Sequence, residues 1–255
     1  MTSSPAPSVL NFKKLADWAI ASRASYASAK PFPHAITTSF LDPEILARAI
    51  AEYPDPHDGA SWNLVEIASD KNLPEQTLKL NCGNEYRLGA TLRTLLHELN
   101  SARFLTILEQ LTGIQGLIGD PHFVGGGLHQ YLPGAVLRVH SDFNMHPRYR
   151  FDRRLNLLLY LNEDWQPSWG GDLELWERDM SRCVGQVPPN ANTCLIFSTT
   201  KDSFHGMPIP LRCPPTVTRK SVALYYYSNG RPEHERYPDS GTLWQRRPGE
   251  QGSGR

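Results

Sequence analysis

The sequence has no excess of either charge: 26 Lys and Arg balance 26 Asp and Glu across 255 residues. Without a net positive field, the electrostatic case for wrapping nucleic acid is weak, and basic pairs such as Arg153-Arg154 and Arg246-Arg247 read as solvated surface. Cysteine is scarce. Cys82, Cys183, Cys194 and Cys213 lie far apart with no CxxC pair, which speaks against a zinc knuckle or a disulfide framework and suggests reduced, structural thiols. No stretch reaches the roughly 18 apolar residues of a membrane span, and the start Met1-Thr2-Ser3-Ser4-Pro5 lacks the basic and apolar regions of a signal peptide. The expectation is a cytoplasmic protein with no membrane partner. There is no internal repeat, and 40% hydrophobic residues suffice for one sizeable core.

What is present divides into a helical first half and a strand-rich second half. Residues 1–9 are rich in Ser and Pro and read as frayed. Asn11 is a candidate N-cap for a helix carrying Phe12, Leu15, Trp18 and Ala19 at helical spacing. Asp42-Pro43-Glu44 places a cap, a first-turn proline and an acid in the preferred order, followed by Ile45, Leu46, Ala49, Ile50 and Tyr53 on one face. Residues 54–88 show little periodicity and read as loops with short pieces of structure, where Trp62 and Asn63 are either substrate contacts or loop packing. Leucines from Leu88 to Leu99 mark a third helix. Phe104 to Leu111 mark a fourth, entered through Asn100-Ser101 and closed by Gly113.

After Gly113 the period changes to that of strands. Eight segments follow, at 117–123, 128–132, 135–141, 154–161, 172–177, 182–187, 193–198 and 219–227, separated by Gly, Pro and Asn turns. This pattern predicts an α+β, mainly β fold: a double-sheet jelly roll or barrel with the early helices packed on one sheet. Residues 1–113 form the helical and loop region, 114–230 the β core and 231–255 a C-terminal tail with disordered last residues, all in one folded unit.

The chemistry concentrates on the stretch LHQYLPGAVLRVHSD, Leu128 to Asp142. Side chains alternate faces along a strand, so His140 and Asp142 point the same way and offer two metal ligands. An HxD pair alone is weak evidence. A third ligand is available in His205, within Phe204-His205-Gly206 just after a strand, and two His with one carboxylate make a facial triad suited to non-haem Fe(II). On the last strand Arg219 and Ser221 share a face, a cation and a hydroxyl fit to hold a carboxylate, and Tyr160 is placed to donate to the same group.

From about Gly125 to Ser228 the chain resembles the iron(II)/2-oxoglutarate-dependent oxygenases, in their prolyl-hydroxylase-like branch. The resemblance rests on YLPG with HSD, LLLYLNEDW, GGDLELW, FHG and TRKSVALYYYS in that order. It implies a double-stranded β-helix (jelly roll, cupin-like) holding Fe(II) and the cosubstrate 2-oxoglutarate, with O2 as oxidant. His140, Asp142 and His205 then match the iron ligands, and Arg219 matches the basic residue for the distal carboxylate. Tyr160, Ser221 and Tyr131 match its helpers. The segment Pro208 to Pro215 is longer than the family pattern and makes Lys220 or Arg212 alternatives to Arg219.

The implied reaction oxidises an unactivated C–H bond and releases succinate and CO2. The expected substrate is amino-acid-like, peptide-like or another small polar molecule, and Arg138, Asn156 and Trp176 are its candidate contacts. The alternatives are a prolyl hydroxylase acting on a protein and a non-enzymatic cupin-like binding module. Arg219, Ser221 and Tyr160 count against the second.

Overall fold

Asn11 begins the first helix, α1 (Phe12–Ser28), by accepting a hydrogen bond from the Lys14 N–H at 3.2 Å. The structure, a computed structural model, describes residues 8–69 and 73–250. Val9, expected to fray, is buried instead, and the Glu98 carboxylate accepts from both the Val9 and Leu10 N–H groups. The other helices are α2 (Pro43–Ala51), α3 (Ala90–Leu99) and α4 (Ala102–Thr112). Ser101 caps α4, and Gly113 ends it in the left-handed conformation at φ 77°. Asp42 precedes α2 without capping it, because its carboxylate accepts from Asn11 and Lys14.

Thirteen strands follow one another through the described residues: β1 (His34–Thr37), β2 (Asn63–Ile67), β3 (Gln76–Cys82), β4 (Leu117–Ile118), β5 (Gly127–Tyr131), β6 (Leu137–Ser141), β7 (Asp152–Tyr160), β8 (Leu173–Trp176), β9 (Cys183–Val187), β10 (Cys194–Ser198), β11 (His205–Met207), β12 (Arg219–Ser228) and β13 (Leu243–Trp244). They join into one curled antiparallel sheet, ten of them in the order β1-β10-β7-β12-β5-β3-β6-β11-β8-β9, with β2 paired to β3, β4 to β12 and β13 to β6 off this path. The curl brings β6, β11 and β8 opposite β7, β12 and β5, as in a double-stranded β-helix. Of the eight expected strands, only the first is much shorter than its sequence suggests.

The long strand β7 shows how the layers are fixed. Leu155, Leu157 and Leu159 are buried among leucines of α3 and α4, while Asn156 and Leu158 face the hollow of the curl. Each fully buried leucine contributes about 1.5–3 kcal/mol, so a one-residue slip of β7 would forfeit this row.

Two regions depart from the sequence reading. Residues 54–88 contain β2 and β3, and β3 sits inside the sheet between β5 and β6. Alternation is lost there because β2 is a largely exposed ribbon, and Leu78 interrupts β3 with φ 51°. The tail also returns to the core: Leu243 pairs with Ser141 and Trp244 with His140. The expected disorder of the last residues falls on 251–255, outside the described residues. Among the described residues no helix is long and apolar enough to cross a membrane.

Candidate active site

A cavity of about 190 Å³ opens inside the curl, and the side chains of His140, Asp142 and His205 meet in its wall. Cross-strand pairing of His205 with His140 sets two of these side by side. One donor atom from each residue lies within 4.8 Å of the others. His140 Nδ1 sits 2.8 Å from the Arg138 carbonyl and His205 Nδ1 2.9 Å from the Ser203 carbonyl. A carbonyl only accepts, so both rings carry their proton on Nδ1 and turn an Nε2 lone pair inward. Those Nε2 atoms stand 3.6 and 3.5 Å from the Asp142 carboxylate. Two imidazole Nε2 atoms and one carboxylate converging on a point form a donor set for a divalent cation.

Charge in the wall supports that state. Burial alone would raise the Asp142 carboxyl, but Arg153, His205 and His140 hold it well below the usual carboxylate range. Burial pushes His205 down to about 4, with the neighbouring His140 adding to the effect. His205 therefore stays neutral at pH 6. Between pH 6.5 and about 4 the unfolded chain takes up a proton that the folded chain refuses, so this residue's contribution makes stability fall as pH falls through that window. NMR titration of the metal-free protein should place the His205 midpoint near 4; a midpoint near 6.5 would contradict the burial argument.

Arg153 is the main residue that sequence reasoning missed. Read as solvated, its side chain is 1% exposed, and Arg154 is buried as well. Arg153 Nη2 lies 3.2 Å from Asp142, and Arg153 donates to Asn156 Oδ1 from Nε at 3.0 Å and Nη2 at 2.7 Å. Asn156 in turn donates to Asp142 at 2.7 Å. Tyr225 lies against the guanidinium with its ring centre 3.5 Å from Cζ. Strict alternation would put Arg153 and Asn156 on opposite faces. A bulge prevents this: Tyr226 and Tyr227 pair with Leu155 and Arg153, leaving Arg154 as the extra residue. Asn156, expected as a substrate contact, thus supports the carboxylate from the cavity wall.

A similar bulge removes Arg138 from the cavity. His205 pairs with His140 but Met207 with Leu137, so three steps on β6 match two on β11. Leu137 and His140 share the inner face in consequence, whereas Arg138 lines a separate surface cavity. It donates to the Pro74 carbonyl at 2.9 Å and to Glu250 at 3.2 Å. Trp176 is also absent from the inner wall: it packs with Val139, Met180 and Phe204 and donates to Glu174 at 2.8 Å.

On the other side of the cavity, Lys79, Tyr131 and Arg219 form a row across β3, β5 and β12. Arg219 is 3% exposed; its Nε donates to the Gly171 carbonyl at 2.7 Å and its Nη2 to the Tyr160 hydroxyl at 3.2 Å. Gly171, at φ 88°, has no room for a side chain, since a Cβ would meet Leu211, Trp165 and Arg219. Ser221 lines the cavity beside Arg219, and Tyr131 faces both cations. Lys220 and Arg212 do not line it. The long segment 208–215 docks instead, with Leu211 exchanging backbone hydrogen bonds with Gly134 and Ala135. His129 lines the cavity and bonds the Gly125 carbonyl, whereas His146 is buried outside it. Trp62 is loop packing stacked on Tyr53, and Asn63 is exposed. Trp244, from the tail, packs at a tilt against His140 with ring centres 4.9 Å apart, and lines one edge of the cavity.

Comparison with known proteins fits this geometry. No curated protein matches the chain. A prolyl-4-hydroxylase from Pseudomonas putida superposes with a TM-score of 0.53 at 19% identity, covering 82% of this chain and 98% of its own. A prolyl hydroxylase from Trichoplax adhaerens, solved with a hypoxia inducible factor peptide fragment, gives 0.58 at 16% identity, with 85% and 90% covered. SnoN, a non-haem α-ketoglutarate-dependent epimerase of nogalamycin biosynthesis, gives 0.55 at 15% identity, with 83% and 84% covered. These likenesses establish the fold. Residues 126–227, which contain the His-Asp-His cluster and Arg219, match the family model of the 2OG-Fe(II) oxygenase superfamily, so this part of the chain is a 2OG-Fe(II) oxygenase domain, which works with Fe(II), 2-oxoglutarate and O2.

Proposed function

We propose that the enzyme hydroxylates an unactivated C–H bond of an amino-acid-like, peptide-like or other small polar substrate, with release of succinate and CO2. The observation that carries this reading is the meeting of His140, Asp142 and His205 in one cavity wall with Arg219 in another part of the same cavity. In this reading the three side chains hold Fe(II) through two Nε2 atoms and a carboxylate. Arg219, Tyr160, Ser221 and Tyr131 receive 2-oxoglutarate. Iron, cosubstrate and O2 together supply the oxidising power for the C–H bond.

The chain's own residues bind, orient and shield. The Arg138 and Ser203 carbonyls hold the Nδ1–H of each ring, which leaves Nε2 of both facing the cavity. Asn156 and Arg153 hold the Asp142 oxygens in place. Trp244 and Phe143 keep part of the wall apolar and limit water. Arg153→Met removes one support while leaving all three ligands, and should lower Fe(II) affinity about 10–100-fold. Anaerobic metal titration checks this, and unchanged affinity would show that Arg153 does not position the carboxylate.

A prolyl residue in a protein chain is the second reading, favoured by the fold shared with two prolyl hydroxylases. Fold alone does not choose a substrate, since an epimerase shares it too. A cytoplasmic setting belongs to the same proposal, supported by four unpaired cysteines. The test is incubation with Fe(II), 2-oxoglutarate and O2 against a panel of amino acids, small metabolites and proline-containing peptides. The expected result is a compound that accelerates succinate formation and gains the mass of one oxygen; acceleration by a substrate that gains no oxygen would overturn hydroxylation.

A further inference from the structure

Three cations and one carboxylate line the cavity: Lys79, Arg153 and Arg219 against Asp142. Arg153 pairs with Asp142. Arg219 is committed to Gly171 and Tyr160 and stands where the proposed function puts the distal carboxylate of 2-oxoglutarate. Lys79 remains. Among the described residues its Nζ has no hydrogen-bonded acceptor and no ion-pair partner, and it stands over the face of Tyr131, 5.9 Å from the ring centre. Burial lowers its pKa to about 8, only partly opposed by the distant charge of Asp142. A half-buried ammonium without an acceptor is costly to the free protein, and an anion entering the cavity would relieve that cost.

The arithmetic of a loaded site points the same way. Fe(II) adds two positive charges and 2-oxoglutarate two negative ones, so the lining keeps the net positive charge it has without them, contributed by Lys79 and the two arginines against Asp142. A neutral substrate would leave it uncompensated in a low-dielectric space. The cavity also offers an apolar surface near this lysine, since Val65 and Ile67 on the strand β2, paired to β3, line the same space.

We propose that Lys79 is the anchor for a free carboxylate on the prime substrate, which makes the substrate a small acid or a peptide end rather than an internal residue of a protein. This rests on the proposed oxygenase reading and narrows its substrate class. Lys79 lies outside residues 126–227, the part of the chain that carries the family match.

The test uses the full-length protein loaded with Mn(II) and 2-oxoglutarate without O2. Paramagnetic relaxation of probe protons is read by NMR for N-acetylalanine, its N-methylamide and acetyl-trialanine with a free C-terminus. The expected result is strong relaxation of one or both acids and weak relaxation of the amide. Lys79→Met should weaken acid binding about tenfold or more, the loss of a charge-assisted hydrogen bond, and Lys79→Arg should retain most of it. Relaxation of the tripeptide but not the single residue would identify a chain end as the source of the carboxylate.

Three results would overturn the proposal: equal relaxation of acid and amide, an unaltered Lys79→Met, or no probe relaxation while 2-oxoglutarate protons are relaxed. A Lys79→Met protein that loses 2-oxoglutarate instead would assign the lysine to the cosubstrate and also overturn it. If 2-oxoglutarate protons are not relaxed in the unsubstituted protein, the oxygenase reading itself fails, a distinguishable outcome.

Discussion

Asp142→Asn is expected to reduce Fe(II)-dependent succinate formation by more than about 100-fold, beyond the 10–100-fold cost of losing a supporting partner of a metal ligand. The carboxylate is the one anionic group in the His-Asp-His cluster. An amide of the same shape keeps the volume and can still accept from Arg153, so the protein should remain folded. Alanine is a poorer probe: it would leave the buried Arg153 guanidinium without its anion, a loss of about 3–5 kcal/mol that would confuse folding with chemistry. Steady-state succinate formation, with circular dichroism and bound metal measured on the same sample, separates the two. Undiminished turnover in a metal-verified Asp142→Asn preparation would show that the ion is held elsewhere.

Arg219→Met should raise the 2-oxoglutarate KM about 30-fold or more, which is the effect of truncating one partner of a buried, hydrogen-bonded charge pair. The effect on kcat at saturating cosubstrate should be smaller, because in the proposed reading Arg219 meets the carboxylate of 2-oxoglutarate remote from the metal. Arg219→Lys keeps the charge but not the fork that reaches both Gly171 and Tyr160, so partial recovery is expected. A series of initial rates against 2-oxoglutarate concentration checks the split. An unchanged KM would transfer the role to another cation of the cavity, and Lys79 would be the first to examine.

The parts of this molecule visible in its sequence are those governed by unbroken periodicity. The alternation in Arg154 to Leu161 and Arg219 to Tyr227 marked the long central strands, and parity put His140 with Asp142 and Arg219 with Ser221. Parity failed where a single extra residue enters a strand. The bulge in β6 turned Arg138 outward against its parity, and the bulge in β7 turned inward Arg153, which the charge pattern had put at the surface. Nothing in the amino-acid order announces either bulge, because both are set by pairing with strands distant in the chain. β3 was hidden for a related reason: its left-handed Leu78 erases the alternation that would have placed Lys79 in the cavity. Trp244 was concealed by the polar composition of the tail, although two residues there suffice to pair with β6.

The most direct test is anaerobic titration of the protein with Fe(II) and 2-oxoglutarate followed by admission of O2, with succinate counted against 2-oxoglutarate consumed. The account predicts one succinate for each 2-oxoglutarate, formed only when Fe(II) is present, and lost in Asp142→Asn. Binding of Fe(II) at His140, Asp142 and His205 with no succinate formed, even with an accepted substrate present, would contradict it.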